Sequence, residues 1–283
     1  MFEDSMTSVF CPGHITCFFE PVRSNAIMET GSRGVGIKLS KGTTVTLEER
    51  SDDRLEVMMD GKECRCDITR AAILMTSSRG FDVTIENDLP VGQGFGMSAS
   101  GAIAAAYCAC TFEDKPLDTA FLNAHIAEVV GGGGLGDVSA LMCESHVPIR
   151  VEPGLPPEGK IRDSGLRFEK LSLAVLGGPL DTGSTLRDKA TSKRIGDAGS
   201  KCVKEFIANP NIDSLFRLSR SFSKDVGLET PALRKVLSKI PNSGMCMLGH
   251  SVFSDCSKDV LEDMGLEVYE CSSVDSMPII CRE

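Results

Sequence analysis

Alternating apolar and polar residues predict short strands in the first part of the chain. Phe81 to Ile85 alternates strictly, as a strand with one buried face does. Three short apolar runs lie within residues 43–68, and the Asp60-Gly61 pair between two of them is typical of a hairpin turn. Residues 9–15 are also mostly apolar, but the Pro12-Gly13 pair within them predicts a strand that a turn interrupts.

Apolar residues at helical spacing predict helices along the whole chain. Small residues from Ala102 to Ala109 form one such segment, and apolar residues between 117 and 128 fall on one helical stripe. Two predicted strands, residues 171–176 and 266–271, enclose the later helices. The remaining predicted helices are residues 68–77, 213–224, 230–240 and 258–264.

A segment rich in proline and glycine, residues 153–159, is the clearest linker in the sequence. A chain of 283 residues is long enough for two domains of ordinary size. We therefore expect two domains, residues 1–155 and residues 156–283.

The composition is that of a soluble globular protein, with 41% hydrophobic and 25% charged residues. No apolar run approaches the roughly 18 residues that a membrane helix needs, and the acidic first twenty residues do not resemble a signal peptide. We therefore expect a cytoplasmic protein without a membrane partner. The net charge of −10 also argues against a nucleic-acid partner, which usually requires an excess of Lys and Arg.

The twelve cysteines are scattered over the chain, and we expect reduced thiols rather than a disulfide framework. Two pairs, Cys64-x-Cys66 and Cys108-x-Cys110, lack the two-residue gap of zinc or redox motifs. On a helix, the two thiols of each pair would point in different directions. A structural metal site is therefore not predicted.

The most informative segment is a glycine-rich loop between a strand and a helix. Gly92, Gly94 and Gly96 are followed directly by Met-Ser-Ala-Ser and then by small helix formers. Glycines allow positive φ and close approach of a ligand, while the first turn of a helix offers unpaired N–H groups. The segment therefore predicts an anion site, most plausibly for nucleotide phosphates, although a tight loop ending in a capping serine has the same pattern. Neither the Walker nor the Rossmann glycine motif is matched.

Two acidic residues follow this helix. Glu128 occupies an apolar helical stripe, where a carboxylate is costly unless it is paired or binds a metal. Asp137 follows a run with five glycines among residues 131–136, so it is placed either to cap the next helix or to face a ligand. Both carboxylates are candidates for the site.

Basic candidates are few. Arg33 lies in a glycine-rich turn and has the geometry to bind a carboxylate in two bonds, although a surface role is equally consistent with its position. The group Arg187, Lys189, Lys193 and Arg194 is either a ligand contact or a solvated helix face.

Three segments resemble the motifs of the GHMP kinases, which include galactose, homoserine and mevalonate kinases. Residues 90–99 read Pro-Val-Gly-Gln-Gly-Phe-Gly-Met-Ser-Ala, similar to the family's second motif, Pro-x-Gly-x-Gly-Leu-Gly-Ser-Ser-Ala. Residues 12–15, Pro-Gly-His-Ile, resemble the first motif, and residues 244–253 resemble the third. The resemblance implies an α+β fold of two domains: an N-terminal mixed α/β domain with the phosphate loop, and a C-terminal ferredoxin-like α+β domain.

The resemblance also implies an ATP-dependent kinase that uses Mg²⁺. Ser98 and Glu128 match the positions that hold the metal, and Asp137 matches the Asp that acts as base or orients the acceptor hydroxyl. His14, Arg33 and Arg187 are then the candidate contacts to the acceptor substrate. The residues expected to bind ATP are Pro90, Gly92, Gly94, Phe95, Gly96, Met97, Ser98, Ala99 and Ser100.

Five segments are similar to one archaeal branch of the family, whose members phosphorylate the primary hydroxyl of (R)-pantoate on the route to coenzyme A. These segments are residues 12–19, 30–36, 92–99, 134–138 and 247–253. The alternatives are a homoserine or mevalonate type of kinase, or a catalytically silent nucleotide-binding module. A homodimer is consistent with the family.

Overall fold

The computed structural model describes residues 5–179 and 188–281 and contains two β-sheets. The strands are β1 (Met6–Val22), β2 (Gly31–Glu49), β3 (Leu55–Met59), β4 (Lys62–Glu63), β5 (Phe81–Asn87), β6 (Pro148–Glu152), β7 (Lys160–Asp163), β8 (Leu171–Val175), β9 (Ser243–Met245), β10 (Ser251–Ser254), β11 (Glu267–Cys271) and β12 (Ile279–Cys281). The α-helices are α1 (Asp67–Thr76), α2 (Met97–Phe112), α3 (Asp118–Gly131), α4 (Asp137–Leu141), α5 (Lys189–Ala208), α6 (Ile212–Val226), α7 (Pro231–Lys239) and α8 (Lys258–Glu262).

The larger sheet has eight strands in the order β12-β1-β2-β5-β3-β4, with β6 paired to β2 and β7 paired to β6. All of its pairs are antiparallel except β3 with β5. The predicted interruption at Pro12-Gly13 is wrong, because β1 runs unbroken for 17 residues. The chain accommodates this pair by a shift of register against β2 between Pro12 and Gly13, and a second shift follows between Thr16 and Phe18.

The second sheet has four antiparallel strands in the order β11-β8-β10-β9. Numbered within their own unit, these strands lie in the order 4-1-3-2 and alternate with helices as in a ferredoxin-like βαββαβ fold. The predicted α+β architecture is therefore confirmed. Strands β7 and β12 nevertheless come from the second half of the sequence and pair in the first sheet, so the sheets do not divide cleanly at residue 155.

Helix α2 is the central helix of the N-terminal half. Twelve of its sixteen residues are buried, and it packs against β1, β2, α1 and α3. Its alanines and glycine allow these four neighbours to approach closely on all sides. The N-terminus of α2, the C-terminus of α3 and the short helix α4 consequently meet at one place. Among the described residues, no helix is long and apolar enough to cross a membrane.

Candidate active site

The glycine loop has the geometry that its sequence predicts. Gly92, Gly94 and Gly96 adopt φ values of 79°, 78° and 75°, in the left-handed region that favours glycine. Gly96 is the N-cap of α2, and no side chain of the described residues caps the helix. The first backbone bond of the helix runs from the Ser100 N–H to the Gly96 carbonyl, so the N–H groups of residues 97–99 have no partner within the helix. These groups form a site for an anion.

A cavity of about 290 Å³ opens beside this loop. It brings together the glycine loop, the glycine run that precedes α4, and the two predicted carboxylates. The residues around it that matter for the chemistry are Thr16, Phe19, Ser32, Gly92, Gly94, Gly96, Ser98, Glu128, Leu135, Gly136, Asp137 and Met247.

Ser98 and Glu128 form a pair at the wall of this cavity. The hydroxyl of Ser98 donates to Oε1 of Glu128 at 2.6 Å, and the Gly134 N–H donates to the other carboxylate oxygen. Glu128 is only 1% exposed, and burial raises its pKa to about 7, partly opposed by the bond from Ser98. A carboxylate and a hydroxyl are oxygen ligands of the kind that Mg²⁺ accepts.

The protein contributes few further metal ligands at this place. The described part of the chain contains no group of three or more His, Cys, Asp or Glu side chains placed to hold an ion. Mg²⁺ typically takes one or two carboxylates and completes its shell with phosphate oxygens and water. The Ser98–Glu128 pair therefore fits a magnesium ion that arrives with a phosphate ligand.

Asp137 and His14 form the second polar pair. Nδ1 of His14 lies 2.6 Å from Oδ1 of Asp137, whose side chain is 23% exposed to the cavity. Burial lowers the pKa of His14, which favours a neutral ring that donates its Nδ1–H to the carboxylate. Burial acts to raise the pKa of Asp137, but the bond from His14 and the nearby charge of Arg150 outweigh it and lower that pKa. Asp137 is therefore held ionised and directed at the cavity.

This arrangement corrects the role predicted for His14. Its side chain is completely buried and lies behind Asp137, so it contacts the carboxylate rather than a substrate. Within the described part of the chain its Nε2 atom has no hydrogen-bond partner, and it lies over Gly36, where an added Cβ would clash with it.

Arg150 is the basic residue that sequence reasoning missed. It lies on β6 and is 1% exposed, and its Nε and Nη1 find no hydrogen-bond partner among the described residues. Its third nitrogen, Nη2, lies 3.4 Å from the hydroxyl of Thr16. A Cβ on Gly136 would lie 2.6 Å from Nε, which places the guanidinium directly behind the cavity wall. The signal in the sequence was an arginine within the apolar run of residues 147–151.

Arg33 does not take part in the site. Ser32 lines the cavity, and the next residue on an extended strand points to the other face. Nη1 of Arg33 instead lies 3.3 Å from Oε2 of Glu20 on β1. The structure therefore does not bring Arg33 to the cavity where it was predicted to contact the substrate.

The remaining predicted contacts divide into two groups. Gly92 and the residues from Gly94 to Ala99 line the cavity, but Ser100 is completely buried and donates its hydroxyl to the Cys11 carbonyl. Ser100 is therefore a core residue and not a ligand contact. Arg187 lies outside the described residues, and Lys189, Lys193 and Arg194 are exposed on α5 away from the cavity wall.

The shift of register at Cys17 decides which phenylalanine reaches the site. Strict alternation from His14 and Thr16 would place Phe18 on the cavity face. The extra residue in the bulge, Cys17, turns the following side chains to the opposite faces. Phe19 consequently lines the cavity, while Phe18 packs against Phe206 with ring centroids 5.7 Å apart.

A second cavity, of about 370 Å³, adjoins the first between β3, β5, α1 and the start of α2. Its wall is mostly apolar and includes Met59, Ile68 and Ile85, with Asn87 as a polar contact. Cys64 and Cys66 also line it, joined by a disulfide. The expectation of separated, reduced thiols is wrong for this pair, because Cys66 adopts a left-handed φ of 42° that turns the chain back.

Comparison with known proteins places this architecture in a family. Residues 66–145 match the family model described as the GHMP kinases N terminal domain. The chain is 33% identical to a pantoate kinase of Thermococcus kodakarensis over 91% of this chain and 92% of that protein. The chain belongs to the GHMP kinase family. It is also 28% identical to a pantoate kinase of Methanocaldococcus jannaschii, over 97% of this chain and 99% of the relative.

Solved structures agree with this assignment. A protein described as a phosphotransferase related to the CoA biosynthesis pathway superposes with a TM-score of 0.87 at 28% identity, covering 98% of this chain and 99% of that one. A mevalonate kinase superposes with a TM-score of 0.67 at 14% identity, covering 95% and 99%, and shows the shared fold alone. The prediction that this chain is a small-molecule kinase is therefore confirmed.

Proposed function

We propose that this enzyme transfers the terminal phosphoryl group of ATP to the primary hydroxyl of (R)-pantoate, giving 4-phosphopantoate for archaeal coenzyme A synthesis. The observation that carries the proposal is the convergence of Ser98, Glu128 and Asp137 on one cavity beside the glycine loop. Two relatives of nearly full length are named pantoate kinase, which supports this acceptor.

The nucleotide is assigned to both cavities. Backbone N–H groups between Gly94 and Ser98 bind the phosphates, because the helix N-terminus offers unpaired donors and a partial positive charge. The apolar cavity beside α1 accepts the base and ribose, with Asn87 available for a hydrogen bond. Pro90, Phe95 and Ala99 shape the loop rather than contact the nucleotide through their side chains.

Ser98 and Glu128 are the residues that hold Mg²⁺ in this proposal. When bound, the ion neutralises negative charge on the phosphate oxygens, which is the main electrostatic demand of phosphoryl transfer. The second oxygen of Glu128 accepts from the Gly134 N–H, so the carboxylate is held in one orientation.

Asp137 positions the acceptor hydroxyl and takes its proton as the oxygen attacks the terminal phosphorus, while ADP leaves with the electrons of the broken P–O bond. The carboxylate is already ionised and faces the cavity, and His14 fixes its orientation. Placement in line with the phosphate supplies most of the rate, because this reaction needs little covalent assistance.

Arg150 is assigned to the carboxylate of pantoate. It is buried behind Thr16, Ser32 and Gly136, so pantoate reaches it only if this part of the wall shifts on binding, and within the described residues it forms no ion pair with a carboxylate. A buried guanidinium with two unpaired N–H groups is costly, and an incoming carboxylate satisfies it. The apolar side chains of Phe19 and Leu135 then face the two methyl groups of the substrate.

The cellular setting is part of the same proposal. We place the enzyme in the cytoplasm, and the net charge of −10 supports the absence of a nucleic-acid partner. The homodimer suggested by the family resemblance is tested by light scattering of the purified protein.

An assay of ADP release with three acceptors tests the function. Purified enzyme with MgATP is given (R)-pantoate, homoserine or mevalonate, and the product is identified by mass spectrometry. We expect turnover with pantoate at a kcat/KM at least tenfold above the other two. Preference for homoserine or mevalonate would assign the enzyme to another branch, and ATP binding without turnover of any acceptor would indicate a silent module.

A further inference from the structure

The Cys64–Cys66 disulfide differs from the other cysteines of the chain in its setting. The remaining ten cysteines are free thiols, and most of them are buried. Cys64 and Cys66 are half-buried, are separated only by Arg65, and have Cα atoms 5.4 Å apart. Both residues line the cavity assigned to the nucleotide base and ribose. A bond between cysteines two residues apart closes almost no chain, so a large contribution to global stability is not expected.

The environment of Cys66 favours thiol chemistry. Cys66 is the N-cap of the ten-residue helix α1, and no side chain caps that helix. A thiolate at this position is stabilised by the unpaired N–H groups of the first turn and by the partial positive charge of the helix end. Arg65, beside it, is highly exposed and adds positive charge that attracts an anionic reactant, although its pairing with Asp67 moderates this effect. The pair is open to solvent-borne reagents.

The pair is also coupled to the active site through one side chain. Ile68, two residues after Cys66, lines both cavities. An added Cβ on Gly131 or Gly133 would lie 2.9 Å or 3.1 Å from the side chain of Ile68, so this side chain packs directly against the glycine run. A Cβ added to Gly133 would also clash with a carboxylate oxygen of Glu128. The start of α1 therefore supports the loop that surrounds the metal-binding carboxylate.

We propose that Cys64 and Cys66 are a reversible thiol–disulfide site, and that its redox state sets the affinity of the enzyme for its nucleotide. The inference rests on the proposed function, since it assigns the neighbouring cavity to ATP. The disulfide closes the turn between β4 and α1 and preorganises the cavity wall, whereas the dithiol leaves this turn free to move. Oxidised enzyme therefore binds ATP more tightly than reduced enzyme.

The chemistry balances with a small-molecule disulfide as the oxidant. The Cys66 thiolate attacks one sulfur of the oxidant RSSR, forming a mixed disulfide and releasing one RS⁻. The Cys64 thiolate then attacks the Cys66 sulfur and releases the second RS⁻, so that two thiols are oxidised and one RSSR is reduced to two RSH after protonation. A dithiol reductant reverses both steps.

The test compares the full-length enzyme equilibrated with oxidised glutathione and with dithiothreitol. Alkylation and peptide mass spectrometry report the state of Cys64 and Cys66, calorimetry with a non-hydrolysable ATP analogue and Mg²⁺ gives the Kd, and steady-state assays give both KM values. We expect reduction to raise the Kd and the KM for ATP at least about threefold and to leave the KM for pantoate nearly unchanged. Equal nucleotide affinity in the two states, or a pair that alkylates identically in both buffers, would overturn the inference.

Matched variants separate this pair from the other thiols. Cys64→Ser and Cys66→Ser should each abolish the redox response of the nucleotide Kd. Cys281→Ser removes an exposed thiol on β12, outside both cavities, and should retain the response. A response that persists in Cys64→Ser contradicts the assignment.

The same design separates the two proposals. If pantoate is not phosphorylated but the nucleotide Kd still depends on redox state, the acceptor assignment fails and the thiol–disulfide site stands. If pantoate is phosphorylated equally well and with equal nucleotide affinity in both buffers, the acceptor assignment stands and the thiol–disulfide site fails.

Discussion

Nδ1 of His14 and Oδ1 of Asp137 lie 2.6 Å apart, although the residues are 123 positions apart in the sequence. The imidazole is completely buried on β1, and the absence of a side chain at Gly36 on β2 leaves room for its ring. A neutral His14 can donate one N–H to the carboxylate, which keeps Asp137 ionised and fixes its direction. In the proposed mechanism, the pair therefore holds the base ready before the substrate arrives.

Replacing Asp137 with Asn tests its role in proton transfer. The amide keeps the size of the side chain but cannot accept the proton of the hydroxyl. We expect kcat to fall by about a hundredfold or more, the usual contribution of a positioned acid or base. Steady-state kinetics measures the change, and thermal unfolding checks that the fold is retained. Near-normal turnover would remove Asp137 from the mechanism.

Replacing His14 with Leu tests its support of that carboxylate through the pH profile. Activity requires ionised Asp137 and is lost as the pH falls through its pKa. Removing the N–H donor takes away an interaction that lowers this pKa, so the acid limb of kcat/KM should move to higher pH.

His14→Asn is the matched control, because its side chain retains an N–H donor. It should shift the acid limb less than His14→Leu does. If both variants follow the profile of the unmodified enzyme, His14 has a packing role only.

Ser98 and Ser100 lie two residues apart on α2, and replacing each with Ala should affect a different property: activity for Ser98 and stability for Ser100. Ser98→Ala removes a proposed magnesium ligand, so we expect kcat to fall and the Mg²⁺ concentration for half-maximal rate to rise. Ser100→Ala removes the bond to the Cys11 carbonyl and should lower the free energy of unfolding by about 1 kcal/mol with little effect on kcat. Magnesium titrations and denaturant unfolding measure the two effects. The reverse pattern would exchange the two roles.

Replacing Arg150 and Arg33 in turn tests which of the two arginines binds the substrate. Arg150→Lys loses the planar fork that binds a carboxylate in two bonds, so the KM for pantoate should rise about tenfold or more while the KM for ATP changes little. Arg33→Ala removes a partly exposed pair with Glu20 and should leave both KM values nearly unchanged. Thermal unfolding of both variants controls for loss of fold. If Arg33→Ala raised the KM for pantoate more than Arg150→Lys does, Arg33 would again be the candidate for binding the substrate.

Much of the secondary structure could be predicted because its cause is local. The alternation at residues 81–85 lies within β5, and the helical stripe at 117–128, apart from its first residue, lies within α3. The strand through Pro12-Gly13 could not be predicted, since a long antiparallel pairing with β2 overrides the preference of this pair for a turn. The short terminal strand β12 was also missed, because its three residues form a strand only by pairing with β1.

The sequence by itself determined the glycine loop and the presence of Ser98, Glu128 and Asp137, because left-handed backbone and costly carboxylates leave marks on the local pattern. Only the tertiary structure decided that His14 faces Asp137, that Phe19 rather than Phe18 enters the cavity, and that Arg150 replaces Arg33 behind the site. Each of these outcomes depends on which strands pair and in which register. A shift by one residue turns a side chain to the opposite face, and the pattern of a single strand does not specify its partner's register.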